Sequence, residues 1–93
     1  MIRSFRDKQT AAVFDGYRVR ALSAEVQEVA RRMLKAIDAA GSVDDLRIPP
    51  GNRLEMLKGS RKGQHSIRIN DQWRICFRWI GKEAHDVVIV DYH

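Results

Sequence analysis

The sequence predicts a small α+β domain: two N-terminal helices packed on a mainly antiparallel sheet of about four to five strands, in the order β-α-α-β-β-β-β. Three observations carry this reading. An apolar stripe of helical period runs through residues 23–41. Short β-branched and aromatic segments fill the chain after residue 53. The turns between them are too short for anything but antiparallel neighbours. At 93 residues the chain forms one domain, 1–93, with a modest core.

The elements follow in order. "IRSF" has the alternating look of a short strand. In "DKQTAAVFDG", Asp7 is placed to cap a short helix and Gly16 to stop it. In "SAEVQEVARRMLKAIDAAG", apolar residues fall at Val26, Val29, Ala30, Met33, Ile37 and Ala40, the stripe of an amphipathic helix. Ser23 suits its N-cap, Glu25 its positive first turn and Gly41 its C′ position. Arg31, Arg32 and Lys35 fall toward water. Pro49-Pro50-Gly51 then interrupts regular structure. "RLEMLKG", "QHSIRIN", "QWRICFRWIG" and "HDVVIVDYH" read as four strands separated by Gly59–Gly63, Asn70-Asp71 and Gly81-Lys82.

Alternation assigns faces. Trp73, Ile75, Phe77 and Trp79 share the side that meets the helices, as do Ile67 and Ile69. Arg68, Arg74 and Arg78 share the open side. These are either solvated outward residues of a one-sided sheet or a basic binding face. The shortage of nearby acids favours the second. In the last strand, Asp91 and His93 alternate with Tyr92, on the side of Val87 and Ile89. They reach the arginine side only where the strand relaxes at its end.

Charge supports a polyanionic partner. Residues 53–82 hold eight basic and two acidic side chains, a net +6, while the remainder of the chain is −1. A basic face of this kind is the footprint of a nucleic-acid ligand. The single cysteine, Cys76, excludes a disulfide framework and fits a reducing compartment. As a strand residue it reads as a small hydrophobe rather than a nucleophile. No apolar run is long enough to span a membrane, and the N-terminus lacks the apolar core of a signal peptide. The expectation is a cytoplasmic protein that does not engage membranes. His65, His85 and His93 show no metal-ligand spacing, and no phosphate-binding glycine loop is present. No cofactor is expected.

The remaining candidates form a reacting set. Cleavage of RNA through its 2′-hydroxyl requires a base for that proton, cations for the phosphate and an acid for the 5′-oxygen. Lys58, Arg61, Arg68 and Arg74 supply cations, and Asp91, Tyr92 and His93 supply proton-transfer groups. Arginine's planar fork suits two phosphate oxygens, and histidine titrates near neutrality unaided.

"LRIPPGNRLEMLKGSRKGQHSIRINDQWRICFRW" together with the terminal "VDYH" resembles the HigB-type toxins of the RelE/ParE superfamily, across essentially the whole chain. The resemblance implies an mRNA interferase of the bacterial cytoplasm that cuts mRNA in the ribosomal 30S A site. It implies neutralisation by a HigA-like helix-turn-helix antitoxin, with operator DNA bound only through the toxin–antitoxin complex. Residue by residue it assigns Lys58 of "LKG", Arg74 of "WRI", and Asp91, Tyr92 and His93 to the catalytic site. Arg61, Lys62, Arg68 and Arg78 are expected to bind RNA. Some relatives carry histidine three residues before the lysine. This chain has Glu55 there, either a base or a negative charge beside the phosphate. Two other readings stand beside this one: a ParE-like inhibitor of DNA gyrase, which needs no acid–base set, and a non-catalytic nucleic-acid-binding module.

Overall fold

The computed structural model describes residues 1–59 and 63–91. Two helices pack on one face of a four-stranded antiparallel sheet. Helix α1 spans Lys8–Asp15. Asp7 caps it by accepting from the Thr10 amide at 2.8 Å, and Gly16 ends it in the left-handed region at φ 92. Only glycine adopts that conformation without Cβ strain. Helix α2 spans Ala24–Ala39, with the Ser23 hydroxyl accepting from the Val26 amide at 3.2 Å. Both caps stand where the sequence places them.

The buried face of α2 is turned slightly from the expected stripe. Gln27, Ala30, Leu34 and Ile37 are buried, whereas Val29 and Met33 are half-buried. Gln27 explains the turn. Its Oε1 accepts from Arg18 Nη1 at 2.8 Å and from the Val19 amide at 3.0 Å, and its Nε2 donates to the Tyr17 carbonyl at 2.6 Å. A polar side chain with its groups satisfied this way can be buried at little cost, and here it ties the interhelical loop to α2.

Two 3-10 turns, Val43–Arg47 and Pro50–Asn52, connect α2 to the sheet. The strands are β1 (Glu55–Met56), β2 (Gln64–Arg68), β3 (Trp73–Ile80) and β4 (Glu83–Asp91), adjacent in chain order. "IRSF" does not form a full strand. It makes two parallel bridges, Ile2 to Ala84 and Phe5 to Val87. The physical cause lies in β4, where an extra residue stands between the Cys76–Val88 and Arg78–His85 pairs. Asp86 takes a positive φ of 53 there, and its amide donates to Ser4 Oγ at 2.9 Å instead of to a ladder carbonyl. Such a bulge breaks the ladder and sharpens the local twist.

The core lies between the helices and the sheet. Val13, Leu22, Ala30, Leu34 and Ile37 meet Ile67, Ile75, Phe77, Val87 and Ile89. Trp73 and Trp79 pack at its margin, as their alternation predicts. Thr10 links the layers: its buried Oγ1 accepts from the Ile89 amide at 3.0 Å. The other sheet face carries a smaller apolar cluster of Leu57, Cys76 and Val88, with Val90 against it. Cys76 is therefore a core residue of that second face, in line with its reading as a small hydrophobe.

Candidate active site

Arg74 lies on the second face, one residue in from the start of β3. Register sets it opposite Arg68 of β2 and Val90 of β4. Alternation predicts the face correctly but not the depth, for Arg74 is only 8% exposed. It is no solvated outward residue. Its Nε donates to Ser66 Oγ at 3.0 Å, and its Nη2 donates to the Arg53 carbonyl at 2.7 Å. Glu55 Oε1 lies 4.0 Å from Nη2, in ion-pair range, with the carboxylate half exposed. Glu55 arrives there because β1 pairs it with Ser66. Lys58 is exposed, two residues beyond the end of β1.

Acids reach all three face arginines, which corrects the expected shortage. Arg68 is bonded to Asp71 across the β2–β3 turn. Cross-strand like charges repel, so this pairing relieves the Arg68–Arg74 juxtaposition. Arg78 Nη1 pairs with Asp86 Oδ2 at 3.3 Å. Asp86 lies outside the basic window in sequence, and the bulge in β4 brings it back beside β3. Both Arg78 and Asp86 are half exposed, so the pair is weak and displaceable.

Asp91 ends β4 directly opposite Trp73. Paired residues of antiparallel strands point to the same side, so Asp91 aligns with Trp73 and Ile89 rather than with Arg74. Its Oδ2 accepts from Gln72 Nε2 at 3.2 Å. Four of the expected site residues, Arg61, Lys62, Tyr92 and His93, lie outside the described residues. The structure thus brings Arg74 and Glu55 together, with Arg68 on the neighbouring strand.

Ser66 and Arg53 were missing from the sequence reading. Ser66 shares the alternation side of Arg68 in "SIRIN", a usable signal. Arg53 acts through its carbonyl, which no residue type announces. His65 lies on the opposite face, away from Arg74. It points into the core side, stacked on Phe77 at a centroid distance of 5.9 Å, with a buried Nδ1 that has no hydrogen-bond partner among the described residues. Burial, reinforced by the Arg47 guanidinium, holds its pKa below the ordinary histidine value. The unfolded chain therefore binds the His65 proton more readily than the folded one. Stability from this group is intact above about pH 6.5, the unfolded value, and is lost as pH falls from there toward the folded pKa. Comparing thermal midpoints at pH 7.5 and 5.5 is expected to show a larger acid loss for the wild type than for His65→Phe.

Comparison with known proteins gives this fold and face a family. A YoeB–YefM toxin–antitoxin complex from Staphylococcus aureus contains a chain that superposes with a TM-score of 0.63, covering 100% of this chain and 98% of that one at 17% identity. The fold is therefore one shared with the YoeB toxin. The sequence matches the family described as "RelE-like toxin of type II toxin-antitoxin system HigB" over residues 3–93, and the chain belongs to that family. Toxin HigB-1 of Vibrio cholerae serotype O1 is 42% identical over 81 residues, covering 86% of this chain and 85% of its own. Endoribonuclease HigB of Proteus vulgaris is 33% identical over 97 residues, covering both chains in full.

Proposed function

We propose that this toxin is a ribosome-dependent mRNA endoribonuclease that cleaves the RNA backbone by side-chain acid–base chemistry. The observation that carries the reading is Arg74, a nearly buried guanidinium on the open sheet face whose Nε and Nη2 donate to the Ser66 hydroxyl and the Arg53 carbonyl. The Proteus vulgaris relative, named an endoribonuclease and aligned over the whole chain, supports it.

In this mechanism Arg74 and Lys58 hold the scissile phosphate and offset the charge that grows on it, helped by Arg61, Lys62, Arg68 and Arg78 along the RNA. Fixed cations in a partly dry site are worth more than the same charges in water. His93 exchanges protons with the 2′-hydroxyl or the 5′-oxygen. Asp91 orients the imidazole or serves as its acid–base partner, and Tyr92 stacks on a base or holds the strand end. Val90 stands opposite Arg74, and the sequence places Tyr92 and His93 just past the end of β4. Glu55 is close enough to Arg74 to compete with phosphate or to take a proton from the nucleophile. The side chains supply the three roles without a cofactor.

The partner is a HigA-like helix-turn-helix antitoxin whose complex with the toxin binds operator DNA. The Staphylococcus aureus YoeB relative was solved as a heterotetramer with YefM. The test is cleavage of mRNA by purified protein with and without ribosomes. Wild-type cleavage is expected only on ribosomes, and His93→Ala is expected to lower it about 100-fold or more. Wild-type rates from His93→Ala, or altered plasmid supercoiling in place of mRNA decay after induction, would overturn the reading.

A further inference from the structure

Arg74 is held from two sides by elements far apart in the chain. Ser66, fully buried on β2, accepts from Nε at 3.0 Å. The Arg53 carbonyl accepts from Nη2 at 2.7 Å. Arg53 follows the Pro50–Asn52 turn in the left-handed region, at φ 47 and ψ 57. A residue with a Cβ is uncommon there. The turn is pinned in turn by Asn52, whose Nδ2 donates to the Leu46 carbonyl at 3.1 Å and to the Ile48 carbonyl at 3.4 Å. The Pro-Pro-Gly segment is thus more than a break between helix and sheet. It delivers a carbonyl to the guanidinium.

A guanidinium is planar, and its donors point in fixed directions. An acceptor on Nε and another on Nη2 fix both its position and the tilt of its plane. A lone arginine on a sheet face sweeps many rotamers, and selecting one on phosphate binding costs entropy. Bracketing removes that cost beforehand. Reaction rate depends steeply on such placement: a displacement near 1 Å lowers it by about two orders of magnitude.

We infer that Ser66 is a positioning residue for RNA cleavage, which with the Arg53 carbonyl fixes the plane of the Arg74 guanidinium. This rests on the reading of Arg74 as a phosphate clamp. The test is Ser66→Ala, read by single-turnover cleavage of ribosome-bound mRNA and by the Nε–H resonance of Arg74 in nitrogen-15-labelled protein. Ser66→Cys, near in shape and a poor acceptor, serves the same purpose if Ser66→Ala does not fold. Cleavage is expected to fall roughly 10- to 100-fold, with the backbone amide spectrum retained and the Arg74 Nε–H resonance shifted or lost to exchange. Cleavage at the wild-type rate overturns the inference. So does a loss of cleavage with the Nε–H resonance unmoved, because the damage then does not pass through Arg74. Arg74→Lys, measured in parallel, separates the two readings: if it cleaves like the wild type, the clamp itself has failed and the positioning role falls with it.

Discussion

Arg74→Lys is expected to lower RNA cleavage by about 10²- to 10³-fold while the protein stays folded. Lysine keeps the charge and much of the length. It loses the planar fork, so it cannot donate to Ser66 and the Arg53 carbonyl in parallel from one fixed plane. The ammonium is a point charge on a mobile stem, free to lean toward Glu55, which already lies 4.0 Å from the arginine Nη2. Arg74→Ala is the less informative change. It strips the partner from the buried Ser66 hydroxyl, and each buried polar group left unsatisfied costs about 1–3 kcal/mol. Loss of activity there mixes with loss of fold. Single-turnover rates on ribosomes, set beside thermal midpoints, distinguish the two. A lysine variant that folds and cleaves within a few-fold of wild type would remove Arg74 from the chemistry.

The same residue shows what a sequence discloses and what it withholds. Period-two alternation in "WRICFRWI" sorts Trp73, Ile75 and Phe77 from Arg74, Cys76 and Arg78, because strand geometry admits two faces and no more. Caps are legible for a similar reason. Asp7, Ser23 and Gly16 answer local backbone needs that few residue types meet. Depth is another matter. Alternation says which way Arg74 points but not that Glu55, Ser66 and the loop before β1 close over it. That closure depends on pairing β1 to β2 and on a left-handed Arg53, a conformation residue identity does not signal. The bulge at Asp86 is equally silent in "EAHDVVIV". It decides two things at once: it brings a carboxylate to Arg78, and it reduces the N-terminal segment to a pair of bridges. At the end of β4 the alternation of Asp91 with Ile89 holds. The register sets Asp91 opposite Trp73, which favours the orienting role proposed for it over direct contact with a phosphate at Arg74.

Phe77→Ala is expected to be the most destabilising single change in the sheet, and its effect reaches the site through β3. Phe77 is fully buried. It stacks on His65 from β2 and meets Trp79 edge-on at 6.4 Å. Truncating a buried phenylalanine costs about 3–5 kcal/mol, transfer and cavity together. Relaxation offers little relief, because the bulge already sets the local spacing of β4 and rigid strands flank the void on both sides. The total stability of a domain is about 5–15 kcal/mol, and a chain this short belongs near the lower end. The variant is therefore expected to lower the thermal midpoint by at least about 12 °C, at roughly 4 °C or more per kcal/mol for this size. Removing the ring also uncovers His65, whose suppressed protonation depends first on burial. The acid sensitivity predicted for the wild type should diminish in Phe77→Ala even as overall stability falls. Denaturant titrations at pH 7.5 and 5.5 measure both effects at once. A variant that is destabilised yet keeps the full wild-type pH dependence would show that the acid loss arises elsewhere than at the His65–Phe77 stack.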